Sequence, residues 1–343
     1  MTKALRWVAV WAMLISTSLA GCTSHEYYPF EGRSVPALHG HPLQVFAYRP
    51  SPHDVTLGEP NGRRFGYVTR TFSMPASFEN GQPGDLVTGT YYDSGLPGKK
   101  PLVIVLPVWG VSEYPSTKMT HAILKRSHGK MNVLRVEGDN RIMAWKDIEH
   151  SATIEDFVSG VAESAERFRH SIIDVRRLID WAQTRDEIAG QRIGLVGFSV
   201  SAISGTLVVQ SDPRVRSSAL VMGGADIPTI MSECPGNEAD TRRGVIKRLG
   251  LTLEIYRQTV AVMFEGLDPT DYPNRVNPAS ILVVDAAKDD CIPRKAREDW
   301  WNALGRPERI SMNYTHRGSF MAMTPLGFNF LRKRVYEHLA ATL

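Results

Sequence analysis

The stretch LVGFSVS at residues 195–201 places a serine, Ser199, between two small residues, Gly197 and Ser201. A serine hydroxyl is a weak nucleophile at neutral pH, and it attacks a carbonyl carbon only when a neighbouring base accepts its proton. By composition alone, a Gly-x-Ser-x-small pattern is expected about 0.3 times in a chain of this length. The motif therefore indicates a nucleophile only if the rest of the chain supplies a base and the means to position it.

Ser199 falls at a predicted turn from a strand to a helix. The apolar run RIGLVGF at 192–198 is typical of a buried strand, and AISGTLVVQ at 202–210 is typical of a helix. A serine on such a tight, strained turn requires small residues two positions away on either side, although Ser201 stands where glycine is usual. The amino end of the helix would direct unpaired N–H groups and a partial positive charge towards an oxyanion beside the serine.

A base and an acid follow Ser199 in the order that this kind of nucleophile requires. The run ILVVDAAKDDCIP is a buried-strand pattern followed by two candidate acids, Asp289 and Asp290. The run ISMNYTHRGSF places His316 just after the last predicted strand. Each residue also has a non-catalytic interpretation. The acid could be a solvated turn residue, and the histidine could be a polar side chain whose hydrogen bonds are all made within the fold. The sequence predicts that Ser199 is a nucleophile, His316 its base and an aspartate the group that orients the histidine.

The elements that must position these residues alternate between short β-rich runs and helical stretches. Such alternation is typical of a doubly wound α/β fold with a mostly parallel sheet, here of about eight strands. One long helix, with apolar residues at helical spacing from Phe168 to Trp181, is predicted to end near Gly190. The predicted strands include two antiparallel leading strands, RRFGYVTRTFSM and DLVTGTYYD, and then 101–107, 131–138, 192–198, 217–224, 279–287 and 309–316.

Four motifs resemble the α/β-hydrolase superfamily, and specifically dienelactone-hydrolase-like esterases. They are PLVIVLPVWGVSEY, RIGLVGFSVS, VDAAKDDCIP and THRGSF, in a resemblance that covers roughly residues 65–340. In that family the acid commonly lies three residues after a small residue and four before a proline, which selects Asp289 over Asp290. Dienelactone hydrolases use a cysteine nucleophile where this chain has Ser199, so the resemblance implies hydrolysis of a different, small-molecule carboxylic ester.

The resemblance also implies an oxyanion hole and a cofactor-free reaction. One N–H would come from Val200, the residue after the nucleophile, and the other from Val108 or, failing that, Trp109. Water would then hydrolyse the acyl-enzyme. An acyltransferase or a thioesterase could use the same three residues, and a non-catalytic envelope lipoprotein could retain the fold; these alternatives remain open.

The first residues have the pattern of a bacterial export signal. Lys3 and Arg6 precede an apolar run from Trp7 to about Leu19, and the ending LAGC resembles a lipobox with cleavage before Cys22. The run is shorter than the roughly 20 residues that a spanning helix needs. We therefore predict a lipoprotein signal peptide at 1–21, lipid on Cys22 and a location at the bacterial cell envelope. A plain secretory signal is the alternative.

Residues 22–60 are predicted to form a tether and an irregular lead-in, and 61–343 the hydrolase domain. About 55 residues between the strands at 217–224 and 279–287 exceed what a crossover needs. Their helical periodicity predicts a helical cap at about 225–278, with a longer crossover helix as the alternative.

The remaining cysteines, Cys234 and Cys291, could form a disulfide that joins the predicted insertion to the acid-bearing loop. The alternative is two unrelated thiols.

Composition excludes several other classes of function. The 343 residues are 43% hydrophobic and 22% charged, which is ordinary for a globular protein. The net charge of +4 falls to about +2 once Lys3 and Arg6 are removed, and no basic run suggests a nucleic-acid partner. The histidines lack the spacing of metal ligands, so we predict no metal site. The predicted partners are an ester substrate and, through Cys22, a membrane.

Overall fold

A mostly parallel sheet occupies the centre of the computed structural model, which describes residues 25–32, 42–78, 86–108, 113–138, 144–321 and 329–343. Its strands are β1 (Glu26–Tyr28), β2 (Thr56–Arg64), β3 (Tyr67–Pro75), β4 (Leu86–Asp93), β5 (Lys100–Val105), β6 (Asn132–Val136), β7 (Ile188–Phe198), β8 (Val215–Val221), β9 (Ile281–Ala286) and β10 (Glu308–Met312). The strand order is β1-β10-β9-β8-β7-β5-β6-β4-β3-β2. Pairs from β10 to β6 in this order are parallel, and the flanking pairs are antiparallel.

Helices pack on both faces of the sheet. They are α1 (Tyr114–Ser127), α2 (Trp145–His150), α3 (Ile154–Gln183), α4 (Val200–Ser211), α5 (Ile227–Glu233), α6 (Asn237–Leu249), α7 (Leu253–Met263), α8 (Arg294–Ala303), α9 (His316–Met321) and α10 (Asn329–Thr342). In β5, Leu102 and Ile104 belong to the core under α3 and α4, whereas Val103 and Val105 belong to the core under α1 and α10. Burial on both faces explains why this strand is apolar throughout. The predicted doubly wound α/β class is confirmed.

The predicted number of eight strands is wrong, because the described part of the chain contributes ten to the sheet. The run predicted as one leading strand contains the turn of a hairpin, since Phe65 and Gly66 between β2 and β3 have positive φ angles of 52° and 90°. The segment 22–60, predicted as irregular, contains β1 and the start of β2. Strand β1 has only three residues, too few for an alternation of polar and apolar side chains to show in the sequence. It is held in the sheet by its pairing with β10.

The long predicted helix ends earlier than its sequence indicates. It is α3, which begins at a capping box formed by Thr153 and Asp156 and ends at Gln183. Gly190, predicted as its C-cap, lies inside β7. The residues from Ile188 onwards form a strand instead of extending the helix, because Ile188 pairs with Lys100 of β5.

Three helices, α5 to α7, lie in the segment between β8 and β9 that we predict to be a cap. Helix α7 packs along the flank of α3. Tyr256 stacks on Phe157 with ring centroids 5.3 Å apart, and Phe264 lies 6.0 Å from Phe168, about three helical turns further on.

The predicted signal peptide and Cys22 lie outside the described residues. None of the helices in the described ranges is long and apolar enough to cross a membrane.

Candidate active site

Ser199 lies on a strained turn between β7 and α4. Its backbone has φ 52° and ψ −121°, a conformation that costs free energy for any residue other than glycine. The Ser199 N–H donates to the carbonyl of Val221 in β8 at 2.8 Å, which fixes the turn to the neighbouring strand. Gly197 cannot carry a side chain here, because a Cβ atom would lie 2.3 Å from the carbonyl oxygen of Ser201.

A continuous chain of hydrogen bonds runs from Ser199 through His316 to Asp289. The Oγ of Ser199 is 3.0 Å from Nε2 of His316, and Nδ1 of His316 is 2.8 Å from Oδ2 of Asp289. An ionised carboxylate only accepts hydrogen bonds, so Nδ1 carries the proton and Nε2 can accept the serine proton. The three residues follow β7, β9 and β10, whose carboxyl ends meet at one edge of the sheet. We call this edge the catalytic edge.

The two candidate acids have different positions. Asp289 contacts the imidazole, and its other oxygen, Oδ1, accepts hydrogen bonds from the N–H groups of Cys291 at 2.9 Å and Ile292 at 2.7 Å. Its side chain is completely buried. Asp290 instead accepts a hydrogen bond from the backbone N–H of His316 at 3.3 Å. The structure therefore places Asp289, not Asp290, against the imidazole ring.

The loop that carries Asp289 is held at both ends by Arg297 of α8. This buried guanidinium donates to the carbonyl of Ala286 at 2.6 Å and to that of Ile292 at 3.2 Å. It also pairs with the buried carboxylate of Asp285 at 3.1 Å. The sequence does not predict this role for Arg297, because a charged residue in an amphipathic helix is ordinarily exposed.

Cys234 and Cys291 are joined by a disulfide bond. Cys234 is the C-cap residue that follows α5, and Cys291 lies two residues after Asp289. The bond closes a separation of 57 residues and fastens the acid-bearing loop to the helical segment.

The predicted oxyanion donors belong to two neighbouring segments. Val200 is the first residue of α4, so its N–H is one of the donors that the helix leaves unpaired. Val108 is buried in the segment that follows β5. Ser201 connects the two segments, because its buried hydroxyl donates to the carbonyl of Pro107 at 2.6 Å. The side chain that departs from the usual glycine therefore has a structural use. Trp109, the alternative donor, lies outside the described residues.

Glu113 stabilises the segment around Pro107 through two further contacts, which the sequence does not predict. Its Oε1 accepts a hydrogen bond from the N–H of Gly138 at 2.9 Å, and its Oε2 pairs with Arg135 at 2.6 Å. Gly138 also lies against Pro107, where a Cβ atom would come within 2.8 Å of the proline side chain. Pro107 is thus contacted both by Ser201 and by Gly138, the second residue after β6.

A cavity of about 410 Å³ lies near the opposite edge of the sheet, where Asp212 precedes β8. Its charged lining is internally paired, since Arg214 contacts Asp180 and Asp212 at 2.6 Å each. It does not adjoin the catalytic edge. Among the described residues, no group of three or more His, Cys, Asp or Glu side chains could hold a metal ion.

No protein-family model matches the chain, and a search of curated proteins finds no match. Solved structures do resemble it. An acetyl xylan esterase from Paenibacillus sp. superposes with a TM-score of 0.60 at 15% identity, covering 84% of this chain and 88% of that one. An acetyl xylan esterase from Thermoanaerobacterium sp. gives 0.57 at 13% identity, covering 89% and 90%. A cold-adapted esterase from an Arctic intertidal metagenomic library gives 0.50 at 14% identity, covering 83% and 99%.

The chain has the α/β-hydrolase fold. At these identities the similarity establishes the architecture, and the chemistry must come from the residues at the catalytic edge.

Proposed function

We propose that the protein is a serine hydrolase that cleaves a carboxylic ester through an acyl-enzyme. The observation that carries this proposal is the hydrogen-bonded chain from the Oγ of Ser199 through His316 to Asp289. The strained turn under Ser199 supports it, because such turns persist where function requires them. The esterases among the similar structures support an ester as the substrate class.

In the proposed reaction, His316 accepts the proton of Ser199 as the serine oxygen attacks the ester carbonyl. Asp289 keeps the imidazole in the required tautomer and stabilises the positive charge that it acquires. The N–H groups of Val200 and Val108 bind the oxyanion, and each such donor contributes about 2.7–4 kcal/mol to transition-state stabilisation. His316 then protonates the departing alcohol. A water molecule, deprotonated by His316, next attacks the acyl-enzyme, and the carboxylic acid leaves as Ser199 regains its proton.

We further propose that the enzyme acts at the bacterial cell envelope, held there by lipid on Cys22. The support is the sequence alone, since LAGC follows a short apolar run with basic residues before it. Each buried methylene of an attached acyl chain contributes about 0.8 kcal/mol to membrane binding.

Hydrolysis of p-nitrophenyl esters of increasing acyl length tests the reaction. We expect turnover that Ser199→Ala abolishes and that Ser171→Ala, a matched change on the outer helix α3, leaves intact. Loss of activity in both variants, or in neither, would contradict the assignment. Product analysis with and without an added alcohol distinguishes hydrolysis from acyl transfer.

A further inference from the structure

The chain enters the sheet from the catalytic edge. Strand β1 runs antiparallel to β10, with Glu26 opposite Ser311 and Tyr28 opposite Arg309. The first residues of β1 therefore lie beside the carboxyl end of β10. His25, which precedes the strand, has its ring centroid 6.3 Å from that of Tyr314, two residues before His316.

This path leaves little chain between a lipid on Cys22 and the folded domain. Only three residue steps separate Cys22 from His25, and they can span at most about 11 Å when fully extended. A domain of some 300 residues is about 50 Å across. Because β1 begins at Glu26, the chain between a lipid on Cys22 and the first strand is much shorter than the protein itself. A lipid at Cys22 would thus restrict which side of the protein meets the bilayer.

The surface around this entry point has the chemistry of a membrane interface. Phe330 of α10 is 46% exposed and stacks on His25 with ring centroids 5.6 Å apart. Tyr27 is 53% exposed, and the guanidinium of Arg334 lies 5.6 Å from the centre of its ring while also pairing with Glu308 at 2.6 Å. Aromatic side chains and long cationic side chains are favoured at the level of lipid headgroups, where one part of each is apolar and the other is wet. We call Tyr27, Phe330 and Arg334 the anchor face.

We propose that the anchor face lies against the bilayer surface and holds the catalytic edge towards the membrane. This inference rests on the proposed lipid attachment at Cys22. The partner is a phospholipid bilayer, whose headgroups the exposed aromatic rings contact. The enzyme then meets esters presented at the bilayer surface at a high local concentration, because lateral encounter replaces diffusion through the surrounding solution.

Two matched labels test the orientation in the mature, acylated protein reconstituted in phospholipid vesicles. Lys333→Cys places a fluorophore on α10 next to Phe330. Lys99→Cys places the same fluorophore just before β5, at the opposite edge of the sheet. Both lysines are exposed, and Cys234 and Cys291 are bonded to each other and do not react. Quenching by a lipid with a spin-labelled headgroup reports the proximity of each label to the bilayer.

We expect at least threefold stronger quenching at position 333 than at position 99. Equal quenching, or stronger quenching at position 99, would overturn the proposal. A mass spectrum of the mature amino terminus without acyl chains on Cys22 would overturn it too. The orientation is independent of catalysis, so the same pair of labels in a Ser199→Ala background should give the same ratio. An inactive protein with this ratio would therefore refute the esterase assignment and leave the membrane orientation supported.

Discussion

The hydroxyl of Ser201 donates a 2.6 Å hydrogen bond to the carbonyl of Pro107, 94 residues away in the chain. This bond joins the turn that carries Ser199 to the segment that carries Val108. The two proposed oxyanion donors are therefore positioned relative to each other by a side chain that stands where glycine is usual. The pairing of β5 with β7 also connects the two segments.

We predict that Ser201→Ala lowers kcat about tenfold, equivalent to about 1.4 kcal/mol, with little change in KM. The loss should fall on kcat because the oxyanion, and hence the benefit of aligned donors, exists only in the transition state. Steady-state kinetics on a p-nitrophenyl ester measure it, with Ser204→Ala on the same helix as a buried-serine control. A change confined to KM would contradict the role given to Ser201.

Asp289 and Asp290 provide a neighbouring pair for testing the acid. Asp289→Asn should lower kcat by about 10⁴-fold, because a neutral amide no longer stabilises the imidazolium and favours the wrong tautomer of His316. Asp290→Asn retains an oxygen for the N–H of His316 and should change kcat by less than about threefold. Equal effects of the two substitutions would mean that the acid is misassigned.

Arg297 and Arg309 allow stability to be separated from positioning. Both guanidinium groups pair with the buried Asp285, but only Arg297 also donates to Ala286 and Ile292 at the ends of the acid-bearing loop. Replacing either arginine with methionine should cost about 1–3 kcal/mol of unfolding free energy, because the buried carboxylate of Asp285 loses one partner and keeps the other. Urea unfolding measures that loss.

Only Arg297→Met should also lower kcat per folded molecule, since only it frees the ends of the loop. If Arg309→Met lowered kcat to the same extent, the effect would reflect general destabilisation. Arg297→Lys keeps the charge but offers fewer fixed donors, so its kcat should lie between those of wild type and Arg297→Met.

The buried imidazole of His338 predicts a loss of stability in mild acid. Burial lowers the pKa of His338, and it outweighs the opposite effects of the Ser280 carbonyl and of Glu308, while Arg334 lowers the pKa further. The unfolded chain binds a proton at this histidine near its ordinary pKa of about 6.5, above the folded value. The stabilising contribution is therefore fully present above pH of about 6.5 and is lost as the pH falls below it.

Urea unfolding at pH 7.5 and at pH 5.5 measures this dependence. We expect wild type to lose unfolding free energy between the two conditions and His338→Gln to lose less. A residual loss should persist in the variant, because burial lowers the pKa values of His121 and His170 too. Identical losses in wild type and variant would exclude His338 as a source.

The order of strands and helices could be predicted from the sequence because each element has its own local pattern of apolar and polar residues. Apolar runs such as the one before Ser199 identify buried strands. Parallel strands bring their carboxyl ends together, so the sequence predicts Ser199, Asp289 and His316 at one edge. The doubly wound class follows from the same alternation. These inferences need only the period of the pattern and the geometry of a parallel sheet.

The parts that could not be predicted depend on contacts between distant residues. The bond from Ser201 to Pro107 and the contacts of Arg297 with the acid-bearing loop exist only once α4 and α8 have packed. Strand β1 is too short to have a period, and it exists because the edge of β10 offers it unpaired backbone groups. Gly190 reads as a helix end only until the pairing of β7 with β5 is known.

The site of covalent modification by a fluorophosphonate tests the central claim most directly, because the probe reacts only with an activated serine. The folded protein is treated with the probe, digested and mapped by mass spectrometry. We predict a single adduct on Ser199, lost in Ser199→Ala and strongly slowed in Asp289→Asn. An adduct on another residue, or none in folded wild-type protein, would contradict the account.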